Sequence, residues 1–119
     1  MSDYYDVSLK ERREGMLLQT AQYRSVHEKV EEPGVLMELF EEEKPTVVIH
    51  LAEQAGVRHS IDNPRANLNS NVLGTFELLE AARAFLPKHM LLASTSSVYG
   101  ANTKMADCET EKADHQISF

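Results

Sequence analysis

The segment Thr46-Val47-Val48-Ile49-His50-Leu51-Ala52 restricts the fold more than any other stretch of the chain. It is rich in β-branched residues, carries no polar alternation and follows directly on Pro45, so it predicts a strand covered on both faces, as in a parallel sheet. A parallel neighbour is reached only through a crossover, usually a helix. Asn63-Pro64, a cap followed by proline at the first helical position, opens one, and Leu68, Val72, Phe76, Leu79, Ala82 and Leu86 recur at helical spacing until Pro87. Met90-Leu91-Leu92-Ala93-Ser94 then predicts a second buried strand. Strands alternating with helices imply right-handed βαβ crossovers and an α/β fold.

Upstream, Ser8 with Glu11 three positions later forms a capping-box pattern, predicting a helix through about Leu18. Gly15 inside it costs roughly 1 kcal/mol relative to alanine. Gln22 to His27 reads as a short strand. Pro33 suits a helix start, Val35, Leu36, Leu39 and Phe40 fall on one face, and Pro45 discourages continuation beyond Lys44. After Gly100 the pattern dissolves into a polar tail, with no internal repeat or linker. The 119 residues allow one domain, spanning 1–119, and are too few for a cofactor domain plus a separate substrate domain.

The formal charge of -7 opposes non-specific binding to nucleic acid or to an anionic membrane face, both of which need clustered Lys and Arg. A small molecule or a protein is the expected partner. Cys108 is the single cysteine, which excludes an internal disulfide and a cysteine-based metal cluster and fits a reducing cytoplasm. The acidic start Asp3-Tyr4-Tyr5-Asp6 lacks the apolar core of a secretory leader, and no apolar run approaches the length of a bilayer span.

Open α/β sheets bind ligands beyond the carboxyl ends of their strands, so chemistry is expected after Leu51 and after Ala93. The first segment, Ala52-Glu53-Gln54-Ala55-Gly56-Val57-Arg58, offers small residues for close backbone approach and then a cation. Taken alone it is equally a strand-to-loop turn with a solvated arginine. The second, Thr95-Ser96-Ser97, presents three hydroxyls able to hydrogen-bond a sugar or a ribose, or simply to satisfy backbone groups. His50, inside an apolar strand, reads as a core histidine. Glu41, Glu42 and Glu43 read as a solvated helix end.

These segments occur in order with Asn71-Val72-Leu73-Gly74-Thr75-Phe76-Glu77-Leu78-Leu79-Glu80-Ala81-Ala82. In that combination the chain resembles the extended short-chain dehydrogenase/reductase family from about Tyr4 to Phe119, most closely the nucleotide-sugar epimerases typified by UDP-glucuronate 4-epimerase. The resemblance implies a Rossmann sheet binding NAD, and a reaction that oxidises a sugar carbon transiently and returns the hydride to the opposite face. It implies that Leu51, Ala52, Glu53, Gln54 and Ala55 lie along the cofactor with Asn71 and Ser94. It further implies that Thr95 assists a catalytic tyrosine and that Ser96, Ser97 and Arg58 meet the sugar of a UDP-sugar substrate. Dehydratases of the same family carry an Asp-Glu pair where Ser96-Ser97 stand, because removing water needs an acid and a base, so epimerisation is the expected reaction. A homodimer through the helix at 64–86 is implied as well.

The chain also departs from the family. It has no Gly-rich fingerprint turn to seat a pyrophosphate on a helix N-terminus, and the Tyr-x-x-x-Lys motif would begin just after Phe119. Relatives place a small residue at Glu53, and Gly-Asp where this chain has Glu28-Lys29. The expected fold is therefore a partial Rossmann-like parallel sheet with flanking helices, truncated at both ends. The expected function is that of a fragment of an NAD-dependent epimerase, inactive alone. The alternative is a non-catalytic relative acting as a binding or dimerisation partner.

Overall fold

The computed structural model describes residues 6–99. Helix α1 (Val7–Leu17) is capped by Asp6, two residues before the expected cap, because the Asp6 carboxylate accepts the Ser8 N–H at 2.9 Å and the Ser8 hydroxyl at 2.8 Å. Ser8 is thus inside the first turn, donating to a cap rather than acting as one. No residue of α1 is buried. Glu14 ties it to the rest of the fold, its carboxylate accepting the Ser25 hydroxyl and meeting His27 Nε2 at 2.6 Å. Those two partners, Ser25 first, hold the Glu14 carboxyl below its ordinary pKa by stabilising the charged form.

The strand expected at Gln22–His27 does not form. A strand requires a neighbouring ladder, and among the described residues the sheet pairs only the two strands described next. Residues 23–29 run without regular structure and are fastened by side chains, Arg24 bridging to Glu42 at 3.1 Å and to Glu43. Helix α2 (Val35–Glu43) follows Pro33 and is entered through Gly34, whose φ of 88° suits glycine. Lys44 adopts a left-handed φ of 45° and ends it just before Pro45, as the proline predicts.

β1 (Val47–His50) and β2 (His89–Leu92) pair in parallel, Val48 opposite Met90 and His50 opposite Leu92. β1 is shorter than the apolar run that contains it, and β2 begins one residue before its expected run and ends two residues before that run does. They were expected to be covered on both faces, yet Val47 is 54% and Ile49 63% exposed while Val48 and His50 are half-buried. The reason is one-sided packing. Val48 and Met90 meet a core of Phe40 from α2 with Leu78, Ala81 and Ala82 from the crossover, whereas the described residues place no matching layer over Val47 and Ile49.

The crossover is segmented. A helix that the sequence reading missed, α3 (Val57–Asp62), precedes α4 (Pro64–Asn67), a π turn (Leu68–Leu73) and α5 (Gly74–Ala84). Asn63 caps α4 by accepting the Ala66 N–H, as expected from Asn63-Pro64. Of the apolar residues counted along this stretch, Ala82 alone is buried. Leu68, Val72, Phe76, Leu79 and Leu86 are 46–85% exposed, and the residues buried with Ala82 are Gly74, Leu78 and Ala81. A π turn holds more residues than an α turn, so a count at α spacing drifts off the face, and small side chains allow α5 to approach its neighbours closely.

Gly74 shows how close. A Cβ added there would sit 2.8 Å from Val30 Cγ2, on a short β-branched side chain that cannot swing away. Gly74→Ala is expected to lower stability by about 1–2 kcal/mol, the overpacking cost exceeding the roughly 1 kcal/mol gained in helix propensity. Adding Val30→Ala should recover part of that loss in urea melts. An additive double mutant would show that the contact is not the cause. Among the described residues no helix is long and apolar enough to cross a membrane.

Candidate functional site

Beyond the carboxyl ends of β1 and β2 the chain opens a groove of about 240 Å³. It is lined by His50, Leu51, Ala52 and Glu53 after β1, by Asn71 and Thr75 from the crossover, and by Leu92 to Thr95 after β2. A parallel pair leaves this opening because both chains exit at the same edge before turning, as the rule for open α/β sheets requires. Six of the residues singled out from the sequence meet there: Leu51, Ala52, Glu53, Asn71, Ser94 and Thr95.

The loop after β1 is held by the π turn. Asn71 Oδ1 accepts the Gln54 N–H at 2.7 Å, and the Gln54 carbonyl accepts from Asn71 Nδ2 at 3.3 Å and from Asn67 Nδ2 at 3.4 Å. The Glu53 N–H closes a tight turn onto the Leu51 carbonyl at 3.0 Å. Two asparagines four residues apart thus satisfy both backbone groups of one loop residue, so the wall of the groove is set by helical side chains. Asn71 is therefore part of the groove lining and also the loop's fastening. Asn67 carries the same function and was missed, although its spacing from Asn71 on a helix was visible in the sequence.

A second groove of about 350 Å³ adjoins the first through Ala52 and Glu53, and is lined in addition by Glu28, Lys29, Val30, Glu31, Gln54 and Ser70. Both departures from the family pattern, Glu53 and Glu28-Lys29, thus fall on one surface. Glu53 stands at the junction, exposed, with its carboxylate available to both grooves. The combined surface carries three carboxylates against one lysine.

Ala55 lines neither groove, and Arg58 lies on the exposed side of α3, away from both. The side chains of Ser96 and Ser97, on the short 3-10 turn Ser96–Tyr99, lie outside the described residues, and the expected meeting of Ser97 with Arg58 lies there with them. His50 departs from its sequence reading. It is half-buried and lines the groove, with Nε2 at 3.4 Å from Thr75 Oγ1, because the strand ends at this residue and its last side chain faces the opening.

A family model described as GDP-mannose 4,6 dehydratase matches residues 6–117. The chain is 45% identical over 119 residues to a probable UDP-glucuronate 4-epimerase of Rhizobium meliloti, covering all of this chain and 35% of that protein. It is 39% identical over 119 residues to UDP-glucuronate 4-epimerase 3 of Arabidopsis thaliana, covering 99% of this chain and 27% of that one. The chain thus spans about a third, or less, of the length of these relatives. Among solved structures, UDP-glucose-4-epimerase of Stenotrophomonas maltophila, with bound NAD and formylated UDP-arabinopyranose, superposes with a TM-score of 0.75 at 25% identity, covering 92% of this chain and 32% of that chain. UDP-glucose 4-epimerase of Brucella ovis in complex with NAD superposes at 0.68 and 29% identity, covering 76% of this chain and 28% of that chain.

Proposed function

The chain belongs to the GDP-mannose 4,6 dehydratase family of nucleotide-sugar enzymes, and from that membership we propose that residues 1–119 are one partial dinucleotide-binding unit, forming the cofactor- and sugar-facing wall of an NAD-dependent epimerase acting on UDP-sugars of the UDP-glucuronate kind. The observation that carries this reading is the groove itself, which gathers Leu51, Ala52, Glu53, Asn71, Ser94 and Thr95 at the carboxyl ends of two parallel strands.

NAD, when bound, supplies the acceptor and later the donor of a hydride. The residues suit its sugar-bearing part. Ser94 and Thr95 offer hydroxyls that donate or accept, Ala52 leaves room for backbone approach, and Asn71 keeps the opposite wall in place. They suit its pyrophosphate less well, since Glu53 brings a carboxylate to the junction. Thr95 would hold the reacting sugar hydroxyl against a catalytic tyrosine, and Ser96, Ser97 and Arg58 would contact the sugar. No Tyr-x-x-x-Lys motif and no Gly-rich fingerprint occur in the 119 residues, so this chain alone is proposed not to turn over.

The decisive experiment grafts residues 1–119 in place of the matching third of the Rhizobium meliloti relative and assays interconversion of UDP-glucuronate with its 4-epimer. Turnover by the graft, with none by the chain alone, is the expected result. A folded graft that retains NAD and does not interconvert the sugars would refute the reading.

A second reading, that the chain pairs with another copy through the crossover helix, is favoured by the exposed stripe of Leu68, Val72, Phe76 and Leu79. Contiguous apolar surface of this sort marks interaction faces. Sedimentation velocity should show a dimer that Phe76→Glu dissociates, and a monomer at high concentration would exclude the pairing.

A further inference from the structure

The groove contains one titratable ring that the proposed reaction does not use. His50, the last residue of β1, lies with Nε2 at 3.4 Å from Thr75 Oγ1, and both side chains line the groove alongside Asn71, Ser94 and Thr95. The backbone of His50 is fixed independently, since its carbonyl accepts the Ala93 N–H at 3.0 Å, and Thr75 is fixed by its place in the first turn of α5. What remains adjustable is the proton between the ring and the hydroxyl.

We propose that His50 is a positioning residue that works through Thr75 as a proton-linked relay, making the groove a better site for an anionic, oxygen-rich ligand when the ring is protonated. The proposal rests on the reading of the groove as a dinucleotide site. A neutral imidazole can accept at Nε2, which directs the Thr75 proton toward the ring and away from the groove. A protonated imidazole can only donate. Thr75 Oγ1 must then accept from the ring, and its own proton is released toward the groove, where it can be donated to a ligand oxygen. The bond from the cation is charge-assisted and stronger than the neutral one. The positive charge and the turned hydroxyl act in the same direction.

Among the described residues the charged surroundings are few. Glu53, on the loop after β1, is the other ionisable side chain lining this groove, and the β2 residues that line it, Leu92 to Thr95, are uncharged. On the crossover, Asn71 and Thr75 are uncharged and the next carboxylate is Glu77, two residues beyond Thr75. His89 lies at the far end of β2, opposite Val47 in the strand register. Glu53 opposes an anionic ligand on its own account, so its contribution is separated by repeating the measurement in a Glu53→Gln background.

The test has two arms on the whole chain. In the free protein, NMR titration should show the Thr75 methyl signal moving with the same midpoint as the His50 imidazole signals. Midpoints that do not coincide, or a methyl signal that does not move, overturn the relay. In the second arm NAD is titrated calorimetrically across the range where imidazoles change charge, about pH 5 to 8. Affinity should rise about tenfold toward the acid end, the gain of one charge-assisted over one neutral hydrogen bond. His50→Gln, which keeps a hydrogen-bonding group without a titrating one, should flatten that profile, and Thr75→Val should reduce it. A profile unchanged in His50→Gln overturns the proposal. If NAD binds at no pH, it is the dinucleotide reading of the groove that fails, and the relay is decided by the free-protein titration.

Discussion

Thr95→Val, made in the grafted enzyme, is expected to lower kcat by about 10²–10³ while changing KM much less. Valine nearly conserves the shape of threonine, so the fold should be untouched and only the hydroxyl disappears. The backbone at this position is engaged separately, the Thr95 carbonyl accepting the Val98 N–H at 3.3 Å, and that bond does not depend on the side chain. Thr95 is exposed on the wall of the groove, three residues past the end of β2, where a sugar hydroxyl and a neighbouring tyrosine would meet it. A hydrogen bond formed mainly in the transition state lowers the barrier without holding the ground state, hence the loss in kcat. Ser97→Ala should behave differently. As a proposed substrate contact, it should raise KM more than it lowers kcat, because it removes binding common to ground and transition states. Full kcat in Thr95→Val would show that the hydroxyl is structural only.

Glu53→Ala is expected to raise the affinity for NAD by about tenfold or more, from a wild-type level that calorimetry detects only weakly. The side chain stands where the two grooves join. Unit charges about 6 Å apart repel by roughly 0.7 kcal/mol at the dielectric of water and roughly 2.8 kcal/mol at an effective value of 20, and tenfold in affinity lies between those limits. An exposed carboxylate is screened by salt, so the wild type should gain affinity as ionic strength rises, and the variant should gain less. Glu53→Gln should match Glu53→Ala if charge is the cause. A micromolar wild-type isotherm that neither substitution alters would mean that the pyrophosphate lies elsewhere. Because Lys29 lines the second groove with Glu28, Glu31 and Glu53, Lys29→Ala should act in the opposite direction, weakening whatever anion that groove accepts.

The positions of β1 and β2, the end of α2 before Pro45 and the start of α4 at Asn63-Pro64 were legible because they rest on local chemistry. The β-branched run after Pro45 favours extended backbone, and Asn63-Pro64 caps a helix through one side-chain oxygen and one missing N–H. The family and the ends of the strands followed from residue order, and together they led to six of the ten residues that line the groove, Asn71 through the family alone. Which face is buried was not legible. The apolar spacing of Leu68, Val72, Phe76 and Leu79 was real, but the π turn shifts the helical phase, and the close approach permitted by Gly74 and Ala81 turns the small residues inward. The double cover expected for β1 likewise depended on neighbours that composition cannot supply.

The sequence by itself therefore determined the two paired strands, the parallel crossover between them and the family. Only the tertiary structure decided that Asn67 and Asn71 fasten Gln54, that Glu53 joins two grooves, and that His50 reaches Thr75. The division has a physical origin. Propensity, capping and strand pattern act over a few residues along the chain, whereas these contacts join groups 13 to 25 positions apart, brought together by packing that no local rule describes.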